Sequence, residues 1–402
     1  MKDSLFGFLN QYSLKADRAF LMIMILAICE NTIFIYPIAF VRHSSMEFGN
    51  MILPITYTIL LLNSFNSRGA RNVRFFDFFL VVFLSILVMV SIAIHPEIEP
   101  YVSKMLEPQL LPCIPFFFLG VCYTIEEVSY KTIASWSCIG VLLTATYEFI
   151  IKSTNTLEDA YDMGASYVLL LSTLIVLDFA FRSRKLVPII ASIVGVLYAF
   201  ATGTRGPIVI IGVFIAIQLL YLINARSKHK IRNTIVAGTC LFALMKAYEL
   251  FILPIISLFS GAGLSTRALD YMSGGDFISY TSGRDEIYET LINKLASQPL
   301  TGFGFFAEWP LGFFSAHNMY IELAFHYGYL VAAVVILAYV VTVYKGYQYA
   351  NELTKRWIAL WSCAVFIRGI FGGMYFSLEV FFLLGLCLQS IRNKTYEKTL
   401  YC

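Results

Sequence analysis

Runs of about twenty apolar residues recur along this chain, and they limit what it can fold into more than any other feature. A helix rises about 1.5 Å per residue, so roughly 20 apolar residues match the hydrocarbon core of a bilayer, about 30 Å thick. Windows of this kind fall near 19–40, 50–65, 75–94, 109–126, 133–151, 164–181, 186–203, 206–224, 233–255, 318–342, 357–372 and 374–391. Composition points the same way: 58% of the 402 residues are apolar and 14% are charged, against about 25% in an ordinary water-facing domain. Disorder, a coiled coil and nucleic-acid binding are excluded at this step. The expected fold class is all-α: a polytopic integral membrane protein, one membrane domain over 1–402, with about twelve transmembrane helices and a retained first span.

Basic residues give an independent reading of orientation. Numbering the connections alternately places 20 of the 29 Lys and Arg residues on one side, among them the short runs RSRK at 182–185 and ARSKHKIR at 225–232. Positive charge gathers on the cytoplasmic side, so both termini are expected there, in a multi-pass protein of the inner membrane. The longest outer connection then runs over 256–317. It opens Gly- and Ser-rich, and GRDEIYETLINKLASQP follows as an amphipathic helix with Ile287, Leu291 and Leu295 on one face. The eight Cys residues show no metal-ligand spacing, and neither a metal nor another cofactor is expected.

Polar residues on the outer side carry the functional signal. Arg205 sits in ATGTRGP, where Gly203 and Gly206 permit a tight turn that offers backbone amides to an anion. Arg284 opens the loop helix, with Tyr288 four residues on. His317, Asn318 and Glu322 lie in SAHNMYIELAFHYGYL, where the chain re-enters an apolar run; Arg267 and Arg368 are further candidates. Each has an ordinary reading too. An Arg at a span end anchors it, Arg284 can pair with Asp285 or Glu289, His317 can cap its helix, and Arg368 can pair with Glu379. Together they suit one chemistry: guanidinium groups holding phosphate by paired hydrogen bonds, and a histidine acting as base toward a hydroxyl.

On these residues the chain resembles the O-antigen ligase and O-antigen polymerase superfamily of bacterial envelope enzymes. GTRG at 203–206 is similar to that family's Gly-Ser/Thr-Arg-Gly signature. Arg284, Tyr288, Pro299, Gly302 and Gly304 follow its loop pattern, and His317, Asn318, Glu322 and Gly328 follow its His-Asn-x-x-x-Glu stretch; the motif-bearing core covers 186–342. The resemblance implies a metal-independent inverting glycosyltransferase acting on an undecaprenyl-diphosphate-linked glycan at the outer face. Arg205 and Arg284 would hold the donor diphosphate and His317 would activate the acceptor. Arg267, Tyr288, Asn318, Glu322 and Arg368 would contact substrate. The expected partners are the lipid-linked donor, a glycan acceptor, the bilayer, and a flippase and chain-length regulator. Polymerisation of repeat units is the leading expectation, with ligation to lipid A core as its alternative and a flippase or other transporter behind both.

Overall fold

The computed structural model describes residues 73–105, 111–122, 126–154, 163–202, 204–224, 284–313 and 315–400, with Leu21, Ile25 and Ser257 besides. Every regular element among the described residues is helical, so the all-α expectation holds. The chain divides into two compact units. One comprises Met1–Leu26, Ser45–Ser129 and Ser282–Cys402; the other comprises Ala27–Ser44 and Tyr130–Thr281.

In the first unit, α1 (Phe75–Ile94) leads through a 3-10 turn, Pro96–Ile98, into α2 (Glu99–Met105) and α3 (Leu111–Cys122). The helix α4 (Glu127–Thr154) carries the chain into the second unit, where α5 (Met163–Ser183), α6 (Leu186–Ala201) and α7 (Arg205–Asn224) follow. The first unit resumes with α8 (Arg284–Leu295), α9 (Met319–Tyr349), α10 (Glu352–Ser362), a π-helical turn over Cys363–Ile367, α11 (Arg368–Phe371) and α12 (Leu378–Leu400).

The first unit is built on α12. Along α3 it packs backbone to backbone: a Cβ added to Gly120 would stand 2.3 Å from the Phe382 carbonyl oxygen, and one on Gly385 would stand 2.2 Å from that of Phe117. Trp357 and Trp361 of α10 are fully buried, and the Trp361 ring lies 4.4 Å from Phe382 of α12. A buried ion pair ties the far end: Arg392 grips Asp77 of α1 with both terminal nitrogens, and Asp77 Oδ2 also accepts from the Arg74 amide at 2.8 Å. In the second unit, Cys138, Val141, Leu169, Val176, Ala191 and Tyr198 form the core. Asp178 there is buried and accepts from the Tyr130 hydroxyl at 2.6 Å and from Gln218 at 2.9 Å.

The twelve-span expectation is corrected. Among the described residues, two helices are long and apolar enough to cross a membrane, α1 and α9. Large side chains such as Phe75, Met89, Leu330 and Leu337 are exposed on them. The apolar stretches Cys113–Cys122, Leu186–Phe200 and Gly206–Tyr221 are helical but short, and the ten residues of the first would reach only about 15 Å. The windows at 133–151, 164–181 and 374–391 belong to helices that also carry charge, including Glu127 and Lys131 in α4, Asp178 and Arg182 in α5, and Glu379 and Arg392 in α12. A count of apolar windows thus overstates the number of spans, because it registers neither helix length nor charges on the same helix. The multi-pass inner-membrane placement, with both termini cytoplasmic, falls with that count. The windows at 19–40, 50–65 and 233–255, and the first part of the 256–317 loop, lie essentially outside the described residues.

Candidate functional site

The site begins at a break in α9. Gly328 has φ 81 and ψ 163, outside helical space, so the helix bends there and carbonyls upstream lose their partners along it. The turn after α8 takes them up. The Phe303 amide donates to the Phe325 carbonyl at 2.9 Å, Gly304 to His326 at 3.0 Å, and Tyr329 returns a bond to Pro299 at 2.8 Å. Gly302 has φ 67, and a Cβ there would stand 2.5 Å from the His326 oxygen. Pro299, Gly302 and Gly304 of the loop pattern and Gly328 of the His317 motif form a docking joint. It sets residues 305–313 and 315–318 against α9.

His317 lies close enough to Arg284 to feel its charge. His317 has φ 51, a left-handed conformation uncommon for a residue with a side chain, and its amide donates to Ser315 Oγ at 3.0 Å. Its imidazole is half-buried, and burial first, then the charge of Arg284, hold it below the usual 6.5. Arg284 is the first residue of α8 and donates from Nη1 to the Phe371 carbonyl at 2.7 Å, at the end of α11. Arg368, at the other end of α11, pairs with Glu379. Burial acts to raise the Glu379 carboxyl, but the Arg368 guanidinium outweighs it and holds the group below its ordinary range. The π-helical turn before α11 presents the Phe366 carbonyl to the Tyr320 hydroxyl, at 3.0 Å.

The other residues singled out in the sequence fall as follows. Asn318 is the N-cap of α9: its Oδ1 accepts from the Tyr320 and Ile321 amides, which gives its carbonyl a structural task. Glu322 is buried, and its Oε1 accepts a long bond from Ser315 Oγ at 3.4 Å. Tyr288 is half-buried one turn beyond Arg284. Arg205 opens α7 in the second unit, and Arg267 lies outside the described residues.

Sequence reasoning missed a second group beneath the first. His326 is 1% exposed; its Nε2 lies 2.6 Å from Oε2 of Glu308, which is equally buried, and its Nδ1 lies 2.6 Å from the Tyr375 hydroxyl. Phe305 and Phe376 pack edge to face, 4.4 Å apart, within the same cluster. One signal was available: Glu322 and His326 are four residues apart, on one face of an otherwise apolar helix.

No family model, no curated protein and no solved structure matches this chain. The glycan-polymerising reading required a lipid-linked donor handled by a multi-span membrane enzyme, and the helices described do not provide that frame. Polymerase, ligase and flippase readings are therefore set aside, together with the undecaprenyl-linked donor, the bilayer and the export partners.

Proposed function

We propose that the first unit carries an enzymatic group-transfer centre in which His317 accepts a proton from a hydroxyl and Arg284 holds an anionic, phosphate-like group. One observation carries the reading: a half-buried imidazole kept neutral, and so able to act as a base, stands within the field of a guanidinium fixed by the Phe371 carbonyl. The cap at Asn318 and the bond from His317 to Ser315 fix the backbone on both sides of the imidazole. The resemblance of the His317 and Arg284 motifs to the O-antigen ligase and polymerase superfamily supports these two roles and carries no donor with it.

Binding of inorganic pyrophosphate to the purified full-length chain, measured by calorimetry, tests this. A charge-assisted bond contributes about 1.5–3 kcal/mol, so Arg284→Gln should weaken binding by roughly tenfold or more. An affinity unchanged by R284Q would overturn the anion-holding role.

A further inference from the structure

Glu308, His326 and Tyr375 stand in line: a buried carboxylate, a buried imidazole bonded to it at 2.6 Å, and a hydroxyl bonded to the other ring nitrogen at 2.6 Å. This order of groups moves protons in acid–base catalysis, because the carboxylate orients the ring and stabilises its charged form. Tyr375 is the outer member: the residue is half-buried, whereas Glu308 and His326 are each 1% exposed. The chain continues on both sides. Tyr375 also hydrogen-bonds the Tyr327 side chain. Among the described residues, Glu308 Oε1 and Glu322 Oε2 are buried without hydrogen-bond partners, and Glu322 lies within the field of Glu308. Two neighbouring buried carboxylates favour a proton held among them.

Two proton placements satisfy the line. In one, the Tyr375 hydroxyl donates to Nδ1 and Nε2–H donates to Glu308. In the other, the ring is doubly protonated: Nε2–H stays on Glu308, Nδ1–H donates to the Tyr375 oxygen, and the hydroxyl proton turns outward. Passage from the second to the first releases one proton through the Tyr375 hydroxyl while Nδ1–H refills it. Burial, then Tyr327, Glu322 and Glu308, push the Tyr375 phenol above its usual range, so the hydroxyl keeps its proton at neutral pH and releases it only as Nδ1–H refills the oxygen.

We propose that Glu308, His326 and Tyr375 form a proton relay with the Tyr375 hydroxyl as its outlet, a second acid–base group beside His317. The two are linked through Glu322, which accepts from Ser315 Oγ and hydrogen-bonds the Tyr375 backbone amide, while Ser315 Oγ accepts from the His317 amide. The use of the relay rests on the group-transfer reading. As His317 takes the proton of the incoming hydroxyl, the new bond forms to the transferred group. The old bond breaks, its electron pair leaves with the departing anion, and Tyr375 protonates that anion. Nδ1–H of the doubly protonated His326 then refills Tyr375, leaving His326 neutral with its Nε2–H on Glu308. Tyr375 is the catalytic group in this scheme; His326 and Glu308 are positioning residues.

The relay is tested on the full-length protein with ¹⁵N-labelled histidine, His326 being assigned by its loss in His326→Gln. A proton on His326 that travels through Tyr375 exchanges with water without opening of the fold, whereas a merely structural pair exchanges only on local unfolding. Tyr375→Phe should slow that exchange by about tenfold or more at an unchanged melting temperature. Equal exchange in both proteins would overturn the relay. Should Y375F fail to fold, Tyr375→Met takes its place: it too removes the hydroxyl, the same slowed exchange is expected, and equal exchange would again sink the proposal. His317→Gln should leave His326 exchange as it is. Loss of the R284Q effect on pyrophosphate binding would count against the group-transfer centre alone, so failure of either reading is told apart from failure of the other.

Discussion

A Cβ on Gly328 would stand 2.3 Å from the carbonyl oxygen of Leu300, closer than any real contact of that kind, and Gly328 itself has φ 81. Steric exclusion and backbone conformation thus demand the same residue. Gly328→Ala should lower stability by about 2–4 kcal/mol, through left-handed strain plus the displaced turn. Thermal unfolding of the purified protein measures this. Because the turn positions Glu308, the same substitution should disturb the His326 resonances; a G328A protein as stable as the parent would show that the joint is not what holds the segment.

How much of this was legible in the sequence depends on the length scale of each signal. The amphipathic stripe of the loop helix was: Leu291 and Leu295 are buried on α8, as the spacing from Ile287 indicates. Among the described residues, the apolar windows fall on helices, the one at 75–94 coinciding with α1, yet they said little about what those helices span, since Asp77 inside it is satisfied by Arg392 from 315 residues away. Pairings of that kind leave no local trace. His326 was hidden for a related reason. A lone histidine in an apolar run reads as core, and its partners Glu308 and Tyr375 lie in other segments, 18 and 49 residues away.

The Asp77–Arg392 pair is the second place where a single change should be costly. Asp77 is fully buried, so Arg392→Ala leaves an uncompensated charge against apolar helices and should destabilise by about 3–5 kcal/mol. Replacing both partners, as in D77L with R392M, removes the charge instead of stranding it and should recover most of the loss. Denaturant unfolding of the two single variants and the double variant measures the coupling. Additive effects would mean that the pair is not interacting.

Arg284→Lys separates charge from geometry at the anion site. The lysine keeps a positive charge but loses the planar fork, so the bond to the Phe371 carbonyl and a paired grip on phosphate cannot both be made. Pyrophosphate affinity should fall by roughly tenfold, close to that of R284Q. Full affinity in the lysine variant would reduce Arg284 to a point charge.

The titration of His317 offers the most direct reading of the site, and its sign can be worked out in advance. The folded state holds the imidazole below its ordinary 6.5, so it binds fewer protons than the unfolded chain between the two values. His317 therefore makes stability fall as the pH drops below 6.5, and the loss levels off once the pH passes the folded value; above 6.5 it contributes no slope. His317→Gln should flatten that part of the stability profile. Arg284→Gln should raise the His317 pKa only part of the way, because burial is the larger cause and Arg284 the smaller. Proton NMR of the imidazole across about pH 5 to 8 follows both effects. A catalysed reaction that uses His317 as its base should lose rate on the acid side along the same curve, and its midpoint should shift with R284Q by the amount the imidazole shifts. An R284Q variant in which the imidazole returns fully to 6.5 would reverse the ranking of the two causes. The guanidinium, not the packing around Ser315 and Asn318, would then be what keeps His317 ready to accept a proton.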